Sequence, residues 1–227
     1  MRLIKQPFSL PIKYFDMEVN RFKKHGKLFG GSSKRAIICG PSGCGKTSIM
    51  ISLLICEHGL RFKNIYVYSK SLYQNSYDFL RTLLKSIKEI NYFETDNEAD
   101  IVQPNQIKPY SIIVFDDVVC NNQSIMRDFY CFSRHLNTDC FYLSQTYSSI
   151  PKQLIRDNTN LVILFKQADT NLKHIYDDHV NGDMSFLQFK ELCGICWQTD
   201  YDFVVIDKDS TLITGRYRKN FDNFIHI

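Results

Sequence analysis

Nine consecutive residues carry the densest chemistry in the chain: Gly40-Pro41-Ser42-Gly43-Cys44-Gly45-Lys46-Thr47-Ser48. They spell G-x-x-x-x-G-K-T, the pattern of a phosphate-binding loop. The glycines let the backbone turn its N–H groups inward, and the start of a helix adds the positive end of its dipole. Together these can hold the β-phosphate of a nucleotide. In such a loop Lys46 reaches the β- and γ-phosphates as a point charge, and Thr47 offers its hydroxyl to Mg²⁺. A pair of carboxylates, Asp116-Asp117, ends the apolar run that begins at Ser111. One carboxylate at such a place can hold the Mg²⁺ that bridges the phosphates, and the next can polarise the attacking water. Asp116 is assigned to the metal and Asp117 to the water. Gln145 ends a third stretch, Asp139-Cys140-Phe141-Tyr142-Leu143-Ser144-Gln145-Thr146. A glutamine there can hydrogen-bond both the γ-phosphate and the nucleophilic water without adding charge.

These groups can act only if the fold brings them together, and the flanking residues suit that. Arg35-Ala36-Ile37-Ile38-Cys39 is a short apolar run fit for a buried strand, and Ser48 to Cys56 suits a largely buried helix. Strand, glycine loop and helix is the context the motif requires. Four apolar residues before Asp116 read as a central parallel strand, buried on both faces. In an open α/β sheet ligands bind at the C-terminal ends of the strands, so Asp116 and Gln145 should emerge on the edge that carries the loop.

The remaining elements follow from periodicity. Asn64–Ser69 and Leu161–Phe165 read as strands. Leu72–Ile90, Ser124–His135, Thr170–His179 and Met184–Leu192 read as helices, and Ile150–Arg156 as a short helix with proline near its start. Residues 91–110, acidic and polar with Pro104 and Pro109, read as a loop or insertion and the region of greatest mobility. Asp202–Asp207 and Thr211–Ile213 form a terminal strand pair around the Lys208-Asp209-Ser210 turn. Residues 1–33 read as a leader or arm, with a basic run at Asn20–Lys27 and a joint at Gly30-Gly31-Ser32-Ser33. The ATPase domain is expected over 34–227.

Composition sets bounds on the rest. The chain has 227 residues, 44% of them hydrophobic, which fits one α/β domain and is too apolar for a disordered chain. A net charge of +4 permits nucleic-acid binding without demanding it. The first twelve residues are charged and broken by Pro7 and Pro11, unlike a signal peptide, and no apolar run approaches a membrane span. Eight scattered cysteines suggest free thiols in a reducing compartment, and the lone C-x-x-C at Cys193–Cys196 reads as buried thiols rather than metal ligands.

The order of motifs has a family look: the phosphate loop, IIVFDD, FSRH followed by CFYLSQTY, then IPKQLIRDNTNLVILFKQ and GRYRKNF. It resembles the genome-packaging ATPases of the FtsK–HerA class found in large DNA viruses, from about Lys34 to the C-terminus. It looks closest to those of virophages and Polinton-like elements, with poxvirus packaging ATPases as more distant kin. The resemblance implies a RecA/FtsK-like P-loop fold, with a central, mostly parallel sheet flanked by helices. It also implies a motor that binds ATP and Mg²⁺ and drives double-stranded DNA into a preformed capsid. Such motors are homo-oligomeric rings, here of five or six subunits. They dock on capsid proteins at the packaging vertex, in the viral factory of the host cytoplasm and in the virion, without a membrane. ATP then lies at subunit junctions, where a neighbour can supply an arginine to the phosphates. Arg134 and Arg156 are the two candidates for that arginine. Many relatives carry Asp-Glu where this chain has Asp116-Asp117, and aspartate reaches one methylene less far. Loops facing the ring's pore would grip the DNA backbone by charge, the candidates being Lys70 with Ser71 and Tyr73, and Lys166.

Two other classes share a phosphate loop. A nucleotide kinase would need an arginine-rich lid and a monophosphate pocket, and it has no obvious use for the strand-end glutamine. A non-enzymatic nucleotide switch has less need of the second carboxylate. Stimulation of hydrolysis by duplex DNA separates the motor from both.

Overall fold

Runs of apolar, largely β-branched and aromatic residues become strands here because they can be covered on both faces. The computed structural model describes residues 25–29, 33–117, 124–133, 136–153 and 155–227. The first half of the chain runs β1 (Arg35–Cys39), α1 (Lys46–Ile55), β2 (Asn64–Ser69), α2 (Asn75–Lys85), β3 (Asn91–Thr95) and β4 (Ser111–Asp116). There follow α3 (Ser124–Phe132), β5 (Thr138–Ser144), β6 (Leu161–Phe165), α4 (Asp169–His179), α5 (Phe186–Cys196), β7 (Phe203–Asp207), β8 (Tyr217–Lys219) and β9 (Asn223–Ile225). The described strands form one nine-stranded sheet in the order β3-β2-β4-β5-β1-β6-β7-β8-β9. From β3 to β6 every pairing is parallel, and β7, β8 and β9 extend the sheet antiparallel. This is the α/β P-loop architecture expected, a mostly parallel sheet flanked by helices.

Alternate residues of one strand serve two cores, as the pleat requires. In β1, Ile37 and Cys39 face a core shared with Met126 and Phe129 of α3, Ile175 of α4 and Phe189 of α5. Ala36 and Ile38 face the opposite core, with Met50 and Leu54 of α1 and Leu80 and Leu84 of α2. Strand β1 lies between β5 and β6, and the chain leaves it to build β2, β4 and β5 on one side and β6 on the other. That reversal opens a crevice at the C-terminal end of β1, where α/β sheets bind ligands.

Four sequence expectations need correction. Residues 91–95, read as loop, form the edge strand β3, paired in parallel with β2. The strand is half-exposed and lacks an apolar run. It is held instead by Phe93 stacked on Tyr66 with centroids 4.7 Å apart and by Arg81 paired with Glu94 at 2.7 Å. The partner of β7 is β8, not Thr211–Ile213. There the hydroxyl of Thr214 accepts the Thr211 N–H at 2.9 Å and the hydroxyl of Thr211 accepts the Thr214 N–H at 3.2 Å, so side chains close a turn in place of a ladder. The described residues of the stretch expected as a helix over Ile150–Arg156 form turns, with a 3-10 turn at Arg156–Asn158. Helix α2 is also shorter than Leu72–Ile90, running only over Asn75–Lys85.

Most of the expected leader, including Gly30 to Ser32 of the joint, lies outside the described residues. Residues 25–29, however, are built onto the sheet. Gly26 donates its N–H to the Gly59 carbonyl at 2.9 Å, Phe29 is buried, and His25 sits 3.2 Å from Asp139. No helix among the described residues is long and apolar enough to cross a membrane.

Candidate active site

The phosphate loop begins where β1 ends. Gly40 donates its N–H to the carbonyl of Ser144 at 3.1 Å, which ties the loop to the end of β5. No side chain fits there: a Cβ on Gly40 would lie 2.6 Å from both Cys44 Sγ and Phe165 Cβ. Gly43 and Gly45 turn the chain through left-handed conformations, at φ 76° and 101°. Gly45 caps the ten-residue α1, whose first turn leaves N–H groups without helical partners at the loop. The Lys46 ammonium donates to the carbonyls of Gly40 and Pro41, both at 2.8 Å, and so lies across the loop's mouth.

Asp116 stands at the end of β4 and is 5% exposed. Its Oδ2 accepts two hydroxyls, Thr47 Oγ1 at 2.9 Å and Tyr77 Oη at 2.5 Å. Burial raises its pKa, opposed by those two hydrogen bonds and by the charge of Lys46, while Asp117 adds to the rise. Burial first, then the charge of Asp116, pushes Tyr77 up, so its phenol remains a donor. Asp117 is exposed, and its backbone turns left-handed at φ 52°, a conformation aspartate tolerates better than most residues. Gln145, just past β5, donates its Nε2 to Asp117 Oδ1 at 3.4 Å. A cleft of about 350 Å³ is lined by Lys46, Thr47, Ser48, Asp116, Asp117 and Gln145, together with Ser42, Gly43 and Gly45 of the loop. The ends of two strands and one loop thus deliver a cation, a hydroxyl, two carboxylates and an amide to one place. The donor set of Thr47 and Asp116 fits Mg²⁺, a hard cation that takes one or two protein oxygens and the phosphates.

Three polar residues also line the cleft: Ser71 and Gln74 from the β2–α2 connection and Ser76 from the first turn of α2. Ser71 was expected at the DNA rather than in this cleft, and Gln74, Ser76 and Tyr77 were not foreseen as site residues. The only signal for Gln74 and Ser76 is the short polar run Gln74-Asn75-Ser76 after a strand, a composition common in loops.

The two candidate arginines are placed differently. Arg134 lies outside the described residues. Arg156 occupies the turn before β6, which abuts the start of β1 through Arg35 Nε and the Asn158 carbonyl at 2.5 Å. That is the far end of β1 from the phosphate loop. Its guanidinium pairs with Asp178 at 2.9 Å and lies 5.1 Å from the ring centroid of Tyr147.

Of the DNA-contact candidates, Lys70 donates to the Asp96 carbonyl at 2.6 Å and Tyr73 is exposed, while Ser71 belongs to the cleft. Lys166 is exposed beside the phosphate loop. Cys193 and Cys196 are buried free thiols, and burial raises both. Among the described residues no group of three or more His, Cys, Asp or Glu could hold a metal ion.

Comparison with known proteins gives the family and the fold. The profile described as Poxvirus A32 protein matches residues 20–222. DNA packaging protein OPG160 of monkeypox virus is 28% identical over 133 residues, 52% of this chain and 43% of that protein. Its vaccinia virus (strain Copenhagen) counterpart is also 28% identical over 133 residues, which make up 47% of its length. The matching stretch is therefore about half the length of these curated relatives. Among solved structures, the genome packaging NTPase B204 of Sulfolobus turreted icosahedral virus 2, in complex with AMP, superposes with a TM-score of 0.55 at 11% identity. The match covers 86% of this chain and 98% of that one, so the likeness is one of fold.

Proposed function

The chain belongs to the poxvirus A32 protein family, and from that premise we propose that it is an ATP-driven motor that packages double-stranded viral DNA into a preformed capsid. The observation that carries this reading is the convergence of Lys46, Thr47, Asp116, Asp117 and Gln145 on one cleft at the C-terminal edge of the parallel strands. A switch needs the loop and the metal carboxylate. The further pair of Asp117 and Gln145, 3.4 Å apart, suits water activation and so favours turnover.

The triphosphate lies along the loop, its oxygens taking the N–H groups of residues 43–48 and the ammonium of Lys46. Thr47 and Asp116 would hold Mg²⁺, which when bound neutralises charge shared by the β- and γ-phosphates. Lys46 then exchanges its loop carbonyls for phosphate oxygens. Asp117 and Gln145 hold one water between them, Asp117 accepting its hydrogen bond and Gln145 orienting it toward the γ-phosphorus. The water oxygen bonds to phosphorus as the bond to the β–γ bridging oxygen breaks. The water's proton passes to Asp117, and ADP and inorganic phosphate leave. Asp117 is one methylene short of a glutamate, and its left-handed backbone brings the carboxylate out into the cleft.

Residues 34–227 form the motor domain in this reading, with residues 25–29 packed onto it. Subunits assemble as a homo-oligomeric ring of five or six, docked on capsid proteins in the host cytoplasm. A neighbour's arginine reaches the γ-phosphate. Arg134 and Arg156 are the two candidates for it, and Arg156 is already paired with Asp178. Steady-state ATP hydrolysis with and without duplex DNA, at several protein concentrations, tests the proposal. A motor built at subunit contacts shows turnover that rises with both. Turnover indifferent to DNA, or phosphoryl transfer to a nucleoside monophosphate, would reject it.

A further inference from the structure

A nucleotide held by the loop has two ends, and the cleft described above accounts for one. The metal and water residues sit on β4 and β5, to one side of β1, so the γ-phosphate points that way. The nucleoside must then leave on the other side of the loop, toward β6 and β7. A second cleft of about 390 Å³ lies there. Its walls are the outer face of the loop from Pro41 to Cys44, Phe165 and Lys166 at the end of β6, and the segment 197–202. That volume is within the range of small-molecule sites.

One side chain in this cleft has no structural explanation. Tyr201 is 71% exposed, and its backbone adopts φ 69°, a costly conformation for a bulky residue. Its ring flanks the phosphate loop: a methyl placed on Gly45 would sit 3.7 Å from Tyr201 Cδ1 and 3.7 Å from Phe165 Cζ. The segment that carries it is held firmly. Asp202 accepts the N–H and hydroxyl of Thr199 at 3.3 and 2.7 Å and the amide of Asn220 at 3.0 Å, and pairs with Lys219 at 3.2 Å. Trp197 anchors the other end by donating its indole N–H to the Leu164 carbonyl at 3.0 Å. A rigid loop that presents an exposed aromatic face beside a phosphate site is a stacking platform.

We propose that the nucleobase and ribose of the bound nucleotide occupy this second cleft, with the base stacked on Tyr201. The inference rests on the nucleotide-binding reading of the phosphate loop and deepens it. Stacking is tolerant of base identity, since every base has a π-face. The cleft therefore takes ATP and GTP alike and contributes nothing to a ligand without a base.

The test measures binding of Mg·ATP, Mg·GTP and inorganic tripolyphosphate by calorimetry, using the full chain and its Tyr201→Ala and Tyr201→Phe variants. Tyr201→Ala should weaken both nucleotides about tenfold and leave tripolyphosphate unchanged, while Tyr201→Phe retains nucleotide affinity within about twofold. Equal weakening of tripolyphosphate would mean that Tyr201 only props up Gly45, and would overturn the proposal. So would undiminished ATP binding by Tyr201→Ala, or equal affinity of the parent chain for ATP and tripolyphosphate. A parent chain that binds neither ligand refutes the nucleotide reading itself, and the base subsite with it.

Discussion

The two ends of the parallel strands both gather charge, and they use it in opposite ways. At the N-terminal end, Lys34 is 0% exposed and pairs with Asp207 at 3.2 Å and Asp209 at 2.9 Å. Arg218 reaches the other oxygen of Asp207 at 2.9 Å, and Asp139 takes the backbone N–H of Lys34 at 2.7 Å. Charge there meets opposite charge and, at Lys34 and Asp207, is closed off from water. At the C-terminal end the acceptors and donors face a cleft. Asp116 is held by two neutral hydroxyls, Asp117 by one long amide contact, and Lys46 by backbone carbonyls only. A buried charge whose partner is another charge of the same chain is architecture. One restrained by weaker, neutral partners keeps its capacity for a ligand.

The largest effect should separate the two ends most sharply. Asp117→Asn is expected to lower kcat for ATP by about 10²- to 10⁴-fold, the range for losing a positioned base. Among the described residues the exposed side chain hydrogen-bonds Gln145, so Tm and nucleotide affinity stay near those of the parent. Single-turnover hydrolysis and thermal melting on one preparation check this. A variant that turns over normally removes Asp117 from the chemistry.

Breaking the other end reverses the pattern. Lys34→Met removes one of the two cations on buried Asp207 and the cation on partly exposed Asp209, a change that costs about 3 kcal/mol. Urea unfolding should show that loss, while the folded fraction hydrolyses ATP at the parent rate. A Lys34→Met chain with parental stability would mean that Arg218 alone satisfies Asp207, and that the N-terminal cluster is less tightly coupled than its distances suggest.

Arg156 is the residue on which the comparison is most easily broken. It was singled out as a candidate for transition-state chemistry, yet it sits toward the architectural end and pairs with Asp178, itself nearly buried. Arg156→Ala should cost about 1 kcal/mol of stability through the lost pairing with Asp178, which keeps the Tyr147 hydroxyl at 3.0 Å and Lys152 at 3.4 Å. The catalytic test mixes Arg156→Ala subunits with Lys46→Ala subunits. No recovery of activity beyond dilution is expected, whereas Arg134→Ala in the same mixture should recover it. Recovery with Arg156→Ala would assign a catalytic part to a residue whose contacts are those of a strut.

How much of this was legible in the letters depends on burial. Strands β1, β4, β5 and β6 are covered on both faces, so their apolar runs announce them, and the loop and Asp116-Asp117 are tied to those runs by a fixed spacing. Strand β3 is an edge with one neighbour, and Asn91-Tyr92-Phe93-Glu94-Thr95 carries no run to find. The β7 partner was misplaced because Thr211 and Thr214 spend their hydroxyls on the backbone, which no apolar pattern reports. Tyr77 looks like any aromatic on an amphipathic helix until its phenol is seen on Asp116. Arg156 and Lys34 are the opposite failure. One stood out by its motif and turns out to be paired, and the other seemed only to mark where the domain begins and proves to be a buried hub.

The smallest effect concerns what the open site costs the fold. The pKa of Asp116 is raised, chiefly by burial, so its charged form is disfavoured in the native state relative to the unfolded chain. The sign follows from linkage: the native state binds this proton more tightly, and that contribution to stability is full below the unfolded value near 3.8 and is lost as pH rises through the native one. Asp116→Asn keeps an acceptor for Thr47 and Tyr77 and removes the charge. Its Tm should therefore exceed that of the parent at pH 8, by the equivalent of about 1 kcal/mol, and the gap should close as the pH is lowered. The same variant should lose Mg²⁺-dependent hydrolysis, so stability and activity move in opposite directions at one atom. Melting curves from pH 4 to pH 8 decide it. A variant less stable than the parent throughout would mean that the hydroxyls hold the carboxylate better than burial harms it, and would move Asp116 to the architectural side of the comparison.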